Sequence, residues 1–434
     1  MLSLAAAVLC GVVPAVVFDF EATGGAPDDA TLSTAWHNGR LLNATLGLLQ
    51  PGDELVVPNK TFHVMGGIVA HNLTSAVLRF EGTIVYDDTI RQWPRRGGSK
   101  SVLHCLHILG ARNLTITSSG KGTFDGQGKA WWGVPGLGYL ARGENRPNLL
   151  KIENGAGVLV ENLLLRNSPD WTFWAPGSDG LEVRNVDISA RRSSVDRHGA
   201  IEMTAFNTDG FDVTGRDVWI HDCTVWNQDD CIAVKDGSED MLFERIEASG
   251  IGLTIGSIGA STVRNITFRD CHMHHTSKGI YMKFNGQGGG LIEDVLYENI
   301  TIDEPEATAI WIGPAQQSDS DDLCAAHPCS ICWPTLPTAK CLLPASSLYR
   351  NITLRDITVN NPKKPQSFVM ANTSNPMRGV VFDSVVVTNP GTRAGKSFYQ
   401  ECVGVSGGVA TGRTSPVPPC FADNTTTTAQ RGYR

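Results

Sequence analysis

Asp229 and Asp230 stand side by side in "NQDDCIAV" (residues 227–234), directly before an apolar run. A third carboxylate, Asp209, lies 20 residues before Asp229, in "FNTDGFDV" (residues 206–213). Adjacent negative charges repel, and an apolar neighbour disfavours ionisation, so packing alone penalises this arrangement. Hydrolysis of a glycosidic bond would reward it. One carboxylic acid protonates the leaving oxygen while a carboxylate base activates water. Crowding raises the pKa of one member, which lets acid and base coexist at one pH. For Asp212, Asp217, Asp222 and Asp236 the plainer reading is preferred, because Asp ends strands and satisfies turn backbone.

Residues so far apart in sequence meet only if the chain stacks on itself. From about residue 110 onward, a short apolar strand, a polar pair and a second short apolar strand recur, as in "GLEVRNVDIS", "DMLFERIEAS" and "NITLRDITVN". The polar pairs fall at Asn162, Asn185, Asp222, Arg245, Asp270, Asn299, Asp356 and Ser384. Their spacing is about 23 to 29 residues where no insertion intervenes, within the range of stacked repeats. The strands are short and rich in Val, Ile and Thr. No ten-residue segment of period 3.6 separates them, which argues against βαβ units, and the LxxLxL spacing of leucine-rich repeats is absent.

The expected fold class is therefore all-β, a single-stranded right-handed parallel β-helix in which each repeat makes one coil. Asp209 would then lie roughly one inter-strand spacing, about 4.8 Å, from the later pair. An open coil end exposes unpaired strand edges, and a short N-terminal capping helix is expected to cover it. The stretch "DDATLSTAWHNGRLLNATLGLLQPGD" fits, with Leu32, Trp36, Leu41 and Leu42 at helical spacing before a Pro-Gly stop.

The chain has 434 residues and a net charge of −8, which argues against nucleic acid or an anionic membrane surface as partner. An anionic substrate in a local basic cleft is still compatible. The opening "MLSLAAAVLCGVVPAVVFDF" resembles the apolar region of a secretory signal. The expected organisation is a signal peptide over residues 1–17, a β-helix over 18–420 with a Cys-rich loop at about 318–345, and a polar tail over 421–434. Nine Asn-x-Ser/Thr sequons fit secretion, although several can serve as strand-turn chemistry. Cys324, Cys329, Cys332 and Cys341 cluster, and Cys402 and Cys420 sit near the end, so disulfides are expected to staple a loop and the tail. A zinc reading of the cluster is disfavoured because Cys329 and Cys332 have no second CxxC at ribbon spacing.

The motifs "NTDGFDV", "NQDDC", "SGIGLTIGSIG" and "GIYMKF" resemble, in order and spacing, those of the polygalacturonase-like glycoside hydrolases, family 28, over most of the chain. The resemblance implies a secreted, monomeric, pectin-lyase-like solenoid that cleaves pectic polysaccharide with inversion and without cofactor or metal. It implies that Asp229 is the general acid, that Asp209 and Asp230 hold the attacking water, and that Lys283 pairs with a substrate carboxylate. Tyr281, Asn207 and Gln228 fall at substrate-binding positions of the same motifs. Two positions depart from the family pattern: Ile251 replaces a His, and Tyr281 replaces an Arg. Rhamnogalacturonan hydrolases of the same family share both departures, which makes that activity the alternative. A β-helical polysaccharide lyase and a carbohydrate-binding homologue that has lost catalysis are the rivals from other classes.

Other residues take bland readings. His272, His274 and His275 resemble a metal cluster, but strand alternation is expected to send neighbours to opposite faces. Lys278 and Arg264 are expected to be solvated coil-surface residues. Trp131, Trp132, Trp171 and Trp174 serve either as sugar platforms or as packing.

Overall fold

All eight polar-pair positions read from the repeat turn a corner in left-handed backbone, with φ from 50° at Asp356 to 58° at Ser384. Asn and Asp adopt that conformation most readily among residues with a side chain, because a short polar group can bond locally. Arg245 lacks that chemistry, and its guanidinium pairs instead with Asp222 of the preceding coil at 2.7 Å. A second set of left-handed corners falls at Asp217, Asp240, Asn265, Asp294 and Asn351. Corner side chains bond from coil to coil: Asn265 donates to Asp240, Asn299 to Asp270 and Asn351 to Asp294, at 2.5, 2.6 and 2.9 Å. These three sequon asparagines therefore carry the turn chemistry expected of some of them. Asp217, Asp222 and Asp236 also hold turns, the last by accepting from the Gly259 and Ser261 amides.

The computed structural model describes residues 14–133, 145–199, 201–285, 289–315, 344–364, 367–390 and 398–421. The expected leader up to residue 13, nearly all of the Cys-rich loop and all but the first residue of the polar tail lie outside the described residues. Val17, placed at the end of the leader, opens the first strand. Among the described residues, 29 strands wind into one sheet. Their pairing is parallel throughout the coils, so the fold is a parallel β-helix. The stacking begins well before residue 110. One inward row runs from Phe18 through Leu55, Leu78 and Ile116 to Phe382 and Ala410. Its centre is aromatic: Phe243, Phe268 and Tyr297 stack at 4.7 and 4.6 Å with planes within 18°.

The helix Leu32–Leu48 forms as expected, with the Thr31 side chain capping the Thr34 amide. Leu42 and Leu46 are buried on the first coils, with Leu32, Trp36 and Leu41 packed beside them. At the other end Cys402 and Cys420 form a disulfide, and Phe421 packs on Phe382 at 5.1 Å. Cys105, Cys223, Cys231 and Cys271 are buried free thiols that act as small core side chains.

Phe268 touches an aromatic neighbour on both sides, so Phe268→Ala leaves a void in the stack. Its expected cost is about 3–5 kcal/mol. Denaturant unfolding should show an earlier midpoint, and a loss under about 1 kcal/mol would mean the stack is not a main source of cohesion.

Candidate active site

Four short segments of successive coils build the site. Phe211 stacks on Ile232, Ile232 on Leu253 and Leu253 on Ile280, all wholly buried. The positions one residue later face outward and form a second row: Lys151, Trp174, Asp212, Ala233, Thr254, Tyr281, Trp311 and Phe368. This row is the floor on which the site stands. The inward row joins the main core, whereas Tyr281, Trp311 and Met370 form a separate apolar cluster on the opposite face.

The register sets which carboxylates meet. Because Phe211 faces Ile232, Asp209 stacks on Asp230 rather than on Asp229, and the Gly210 amide donates to the Asp230 carbonyl at 2.8 Å. Asn227 locks the two motifs together, its side-chain amide donating to the Thr208 and Asp230 carbonyls at 2.9 Å each. Gly210 and Gly250 permit the approach. A Cβ on Gly210 would stand 2.2 Å from the Cys231 carbonyl oxygen, and one on Gly250 would stand 2.1 Å from Asn227 Oδ1. Carboxylate oxygens of Asp209, Asp229 and Asp230 lie within 4.8 Å of one another.

Two carboxylates are buried and one is accessible. Asp209 and Asp230 are 3% and 1% exposed, and Asp229 is half-buried. Asp230 accepts from Thr254 Oγ1 at 2.9 Å and from the Lys283 ammonium at 2.8 Å. Asp229 accepts from the Asp230 and Asn207 amides at 2.8 and 3.1 Å. Asn207 holds that amide in place from left-handed backbone, with its side-chain carbonyl facing Arg146 at 3.4 Å.

Asp212 and Lys235 belong to the same group, which corrects the reading of Asp212 as a turn residue. Asp212 is wholly buried, and Lys235 Nζ lies 3.0 Å from its carboxylate and 3.9 Å from that of Asp209. Four carboxylates thus crowd around two ammonium groups. Burial, followed by Asp212 and Asp229, pushes Asp209 well above the ordinary carboxylate range. Burial raises Asp212 to about 6 against the opposing pull of Lys235. Asp229 is raised by burial and by Asp230, with Lys283 pulling the other way. The cluster therefore retains a proton at mildly acidic pH, as a general acid requires.

Some expected roles shift. Gln228 was expected at the substrate but is wholly buried, its carbonyl facing His198 Nδ1 at 2.9 Å and its amide donating to the Arg197 carbonyl. It holds the adjoining loop. Lys283 directs its ammonium at Asp230, although an ammonium carries further donors. Lys278 is buried rather than solvated, 4.9 Å from the Tyr281 ring, and burial followed by Lys283 lowers it to about 8. Arg264 pairs with Glu239 on the exposed coil surface, as expected. Trp131 and Trp132 are core packing, whereas Trp171 and Trp174 form a half-buried edge-to-face pair at 5.2 Å. Lys151 sits 3.9 Å over Trp174, and Lys235 sits 5.4 Å from Trp171. Ile251 packs against the cluster of Tyr281 and Trp311, so the two departures from the family pattern share one apolar patch. The expected separation of the histidines fails: His274 and His275 both lie against Asp196, because left-handed backbone at His275 breaks the strand alternation.

Asp212 generates a measurable pH effect. Its folded value near 6 exceeds the ordinary 3.8, so folding is favoured by the bound proton below 3.8 and loses that contribution as pH rises to about 6. His104, lowered to about 4 by burial, runs the opposite way in both proteins. Asp212→Asn should therefore gain stability relative to wild type between pH 4 and 7 in parallel urea titrations. A difference that stays constant with pH would place the proton elsewhere.

Residues 53–410 match the family model of glycosyl hydrolases family 28. Endopolygalacturonase I of Aspergillus aculeatus is 34% identical over 202 residues, which is 45% of this chain and 50% of the relative. A polygalacturonase of Juniperus ashei is 28% identical over 66% of this chain and 54% of its own. The chain spans about half the length of these curated relatives. Among solved structures, endo-xylogalacturonan hydrolase from Aspergillus tubingensis superposes with a TM-score of 0.67 at 20% identity, covering 92% of this chain and 99% of the other. The exopolygalacturonase from Thermotoga maritima superposes at 0.64 and 18% identity, covering 92% and 93%. With its carboxylates stacked on a parallel β-helix and the family model spanning most of its length, the chain belongs to glycosyl hydrolases family 28.

Proposed function

We propose that this chain is a secreted hydrolase of galacturonate-containing polysaccharide, acting with inversion. The observation that carries the reading is the convergence of Asp209, Asp229 and Asp230 within 4.8 Å, with Asp229 the accessible member. Asp229, its proton retained by burial and by Asp230, donates to the glycosidic oxygen as the bond breaks. Water held between Asp209 and Asp230 attacks the anomeric carbon and gives up its proton to Asp230, the carboxylate paired with Lys283. Lys283 and Lys235 keep the crowded cluster from repelling itself apart. Hydrolysis of this kind uses no cofactor. The convergence carries hydrolysis, whereas inversion rests on the family resemblance, because carboxylates this close fall below the roughly 6.5–9.5 Å usual for an inverting pair.

Basic and aromatic groups on the floor fit an acidic sugar chain. Lys151 over Trp174, with Trp171 and Lys235 beside them, offers stacking faces and positive charge on one flank. Asn207 shapes the cleft at Asp229. The Cys402–Cys420 disulfide and the apolar N-terminal sequence support an extracellular setting. Among the described residues no helix is long and apolar enough to cross a membrane.

A second reading, rhamnogalacturonan hydrolysis, is favoured by half-buried Ile251, backed by the buried Tyr281 and Trp311, on the other flank. An apolar wall suits a neutral deoxy sugar better than a carboxylate. Digesting polygalacturonate, xylogalacturonan and rhamnogalacturonan side by side distinguishes the substrates. Saturated reducing ends from any of them support hydrolysis, and unsaturated products would replace it with elimination. Proton NMR of the first anomer formed tests inversion.

Asp229→Asn should lower kcat by about 10²–10⁴-fold while oligosaccharide binding persists. Turnover in wild type should fall as pH rises past the elevated Asp229 value, because the acid form is then lost. Undiminished turnover by Asp229→Asn would remove the assignment of the acid.

A further inference from the structure

We propose that Asp196, His274 and His275 form a binding site for a divalent transition metal of the zinc class, which fastens the loop leading into the active site. Asp196 Oδ2 lies 2.7 Å from His274 Nδ1 and 2.9 Å from His275 Nδ1. One donor atom from each residue falls within 4.8 Å of the others. Two imidazoles and a carboxylate are a donor set that zinc favours. Ligands at about 2.0–2.2 Å from a tetrahedral ion stand roughly 3.3 Å apart, so each histidine nitrogen need draw back from the carboxylate oxygen by only about half an ångström.

The surroundings point the same donors inward. The outer nitrogen of His274 faces Glu247 at 3.7 Å, and that of His275 faces Glu304 at 3.6 Å. Ser249 Oγ donates to the other Asp196 oxygen at 2.7 Å. The Glu247 and Glu304 carboxylates are too far for direct hydrogen bonds, but their charge favours a proton on the far ring nitrogen once the near one holds an ion. Without an ion His274 Nδ1 donates to Asp196 Oδ2 at 2.7 Å, and a bound cation would take the place of that proton. His275 Nδ1 is buried without a hydrogen-bond partner despite its closeness to Asp196. All three side chains keep between 23% and 34% exposure, which leaves a route for the ion and a coordination position for water.

The site's place in the fold supplies its consequence. His274 ends the strand Thr262–His274, whereas Asp196 belongs to the loop between Asp187–Ser189 and the Asn207–Asp209 motif. Two residues on, His198 meets Gln228 beside the catalytic pair, and its amide donates to Glu306 at 3.0 Å. An ion at Asp196 would tie that loop to the coil flank, outside the three catalytic carboxylates. This inference stands independently of the hydrolytic reading.

Chelator-stripped full-length protein should be titrated with Zn²⁺ by calorimetry and with Co²⁺ by visible absorption. One equivalent per chain is expected, with a Co²⁺ spectrum of low coordination number and a raised unfolding midpoint. His274→Ala and His275→Ala should abolish the spectrum, and Glu304→Gln should weaken affinity about tenfold or more. Asp209→Asn, in the separate carboxylate cluster, should bind metal as wild type does, whatever its effect on polysaccharide. Absence of saturable binding, or binding retained in folded His274→Ala and His275→Ala, would overturn the site. Loss of binding in Asp209→Asn alone would move the ion to the catalytic cluster and overturn it equally.

Discussion

Placing Phe211 on Ile232 brings Asp209 onto Asp230, and every charge relation in the cleft follows from that superposition. A shift of one residue would turn the outward row inward and bury Tyr281 and Trp311 in the main core. The wholly buried inward residues hold the register because each slip would cost their burial at about 25 cal/mol per Å². Against that background the protein tolerates four carboxylates in one patch. Lys235 and Lys283 share the load, each contacting buried carboxylates that would otherwise be unpaired. The result is a group that cannot ionise completely at mild acidity, although its backbone is held in fixed strands.

Corner residues made the coils legible. Asn, Asp and Ser at the polar pairs marked the breaks between strands by composition alone, and the structure places a left-handed corner at each one. Even Arg245 fell in register, because its partner Asp222 occupies the same corner one coil earlier. Coils before residue 110 were harder to read since insertions spread their repeats. Asp212 and Lys235 escaped because their meaning depends on which face they present. Two residues separate Asp209 from Asp212, and only the pairing register shows that the two share a cluster. His275 escaped for a related reason. Alternation holds along a strand and stops at a left-handed corner, where His275 lies.

The Ile251 and Tyr281 departures have a common physical account. A histidine and an arginine would bring two polar or charged groups to this wall, each requiring partners. Ile251 instead packs with Tyr281, Trp311, Phe368 and Val403 into one patch, and Lys278 and Lys283 lie over the face of Tyr281. Replacing either residue alone would leave a polar group against an apolar one, so the pair makes sense as a joint exchange. Its link to the carboxylates runs through the Ile251 amide, which donates to the Asp229 carbonyl at 2.8 Å, and through Lys283, which pairs with Asp230.

The inward row that begins at Phe18 and ends at Ala410 passes the coils of the carboxylate cluster near its midpoint, at Ile220, Phe243 and Phe268. Each coil contacts only its neighbours, so fraying begins at the two ends and travels inward one coil at a time. The capping helix and the Cys402–Cys420 disulfide slow it from either side. The carboxylate cluster therefore occupies the part of the molecule that opens last. A terminus loosened by heat or nicked by a protease can be lost while the geometry of the cluster persists.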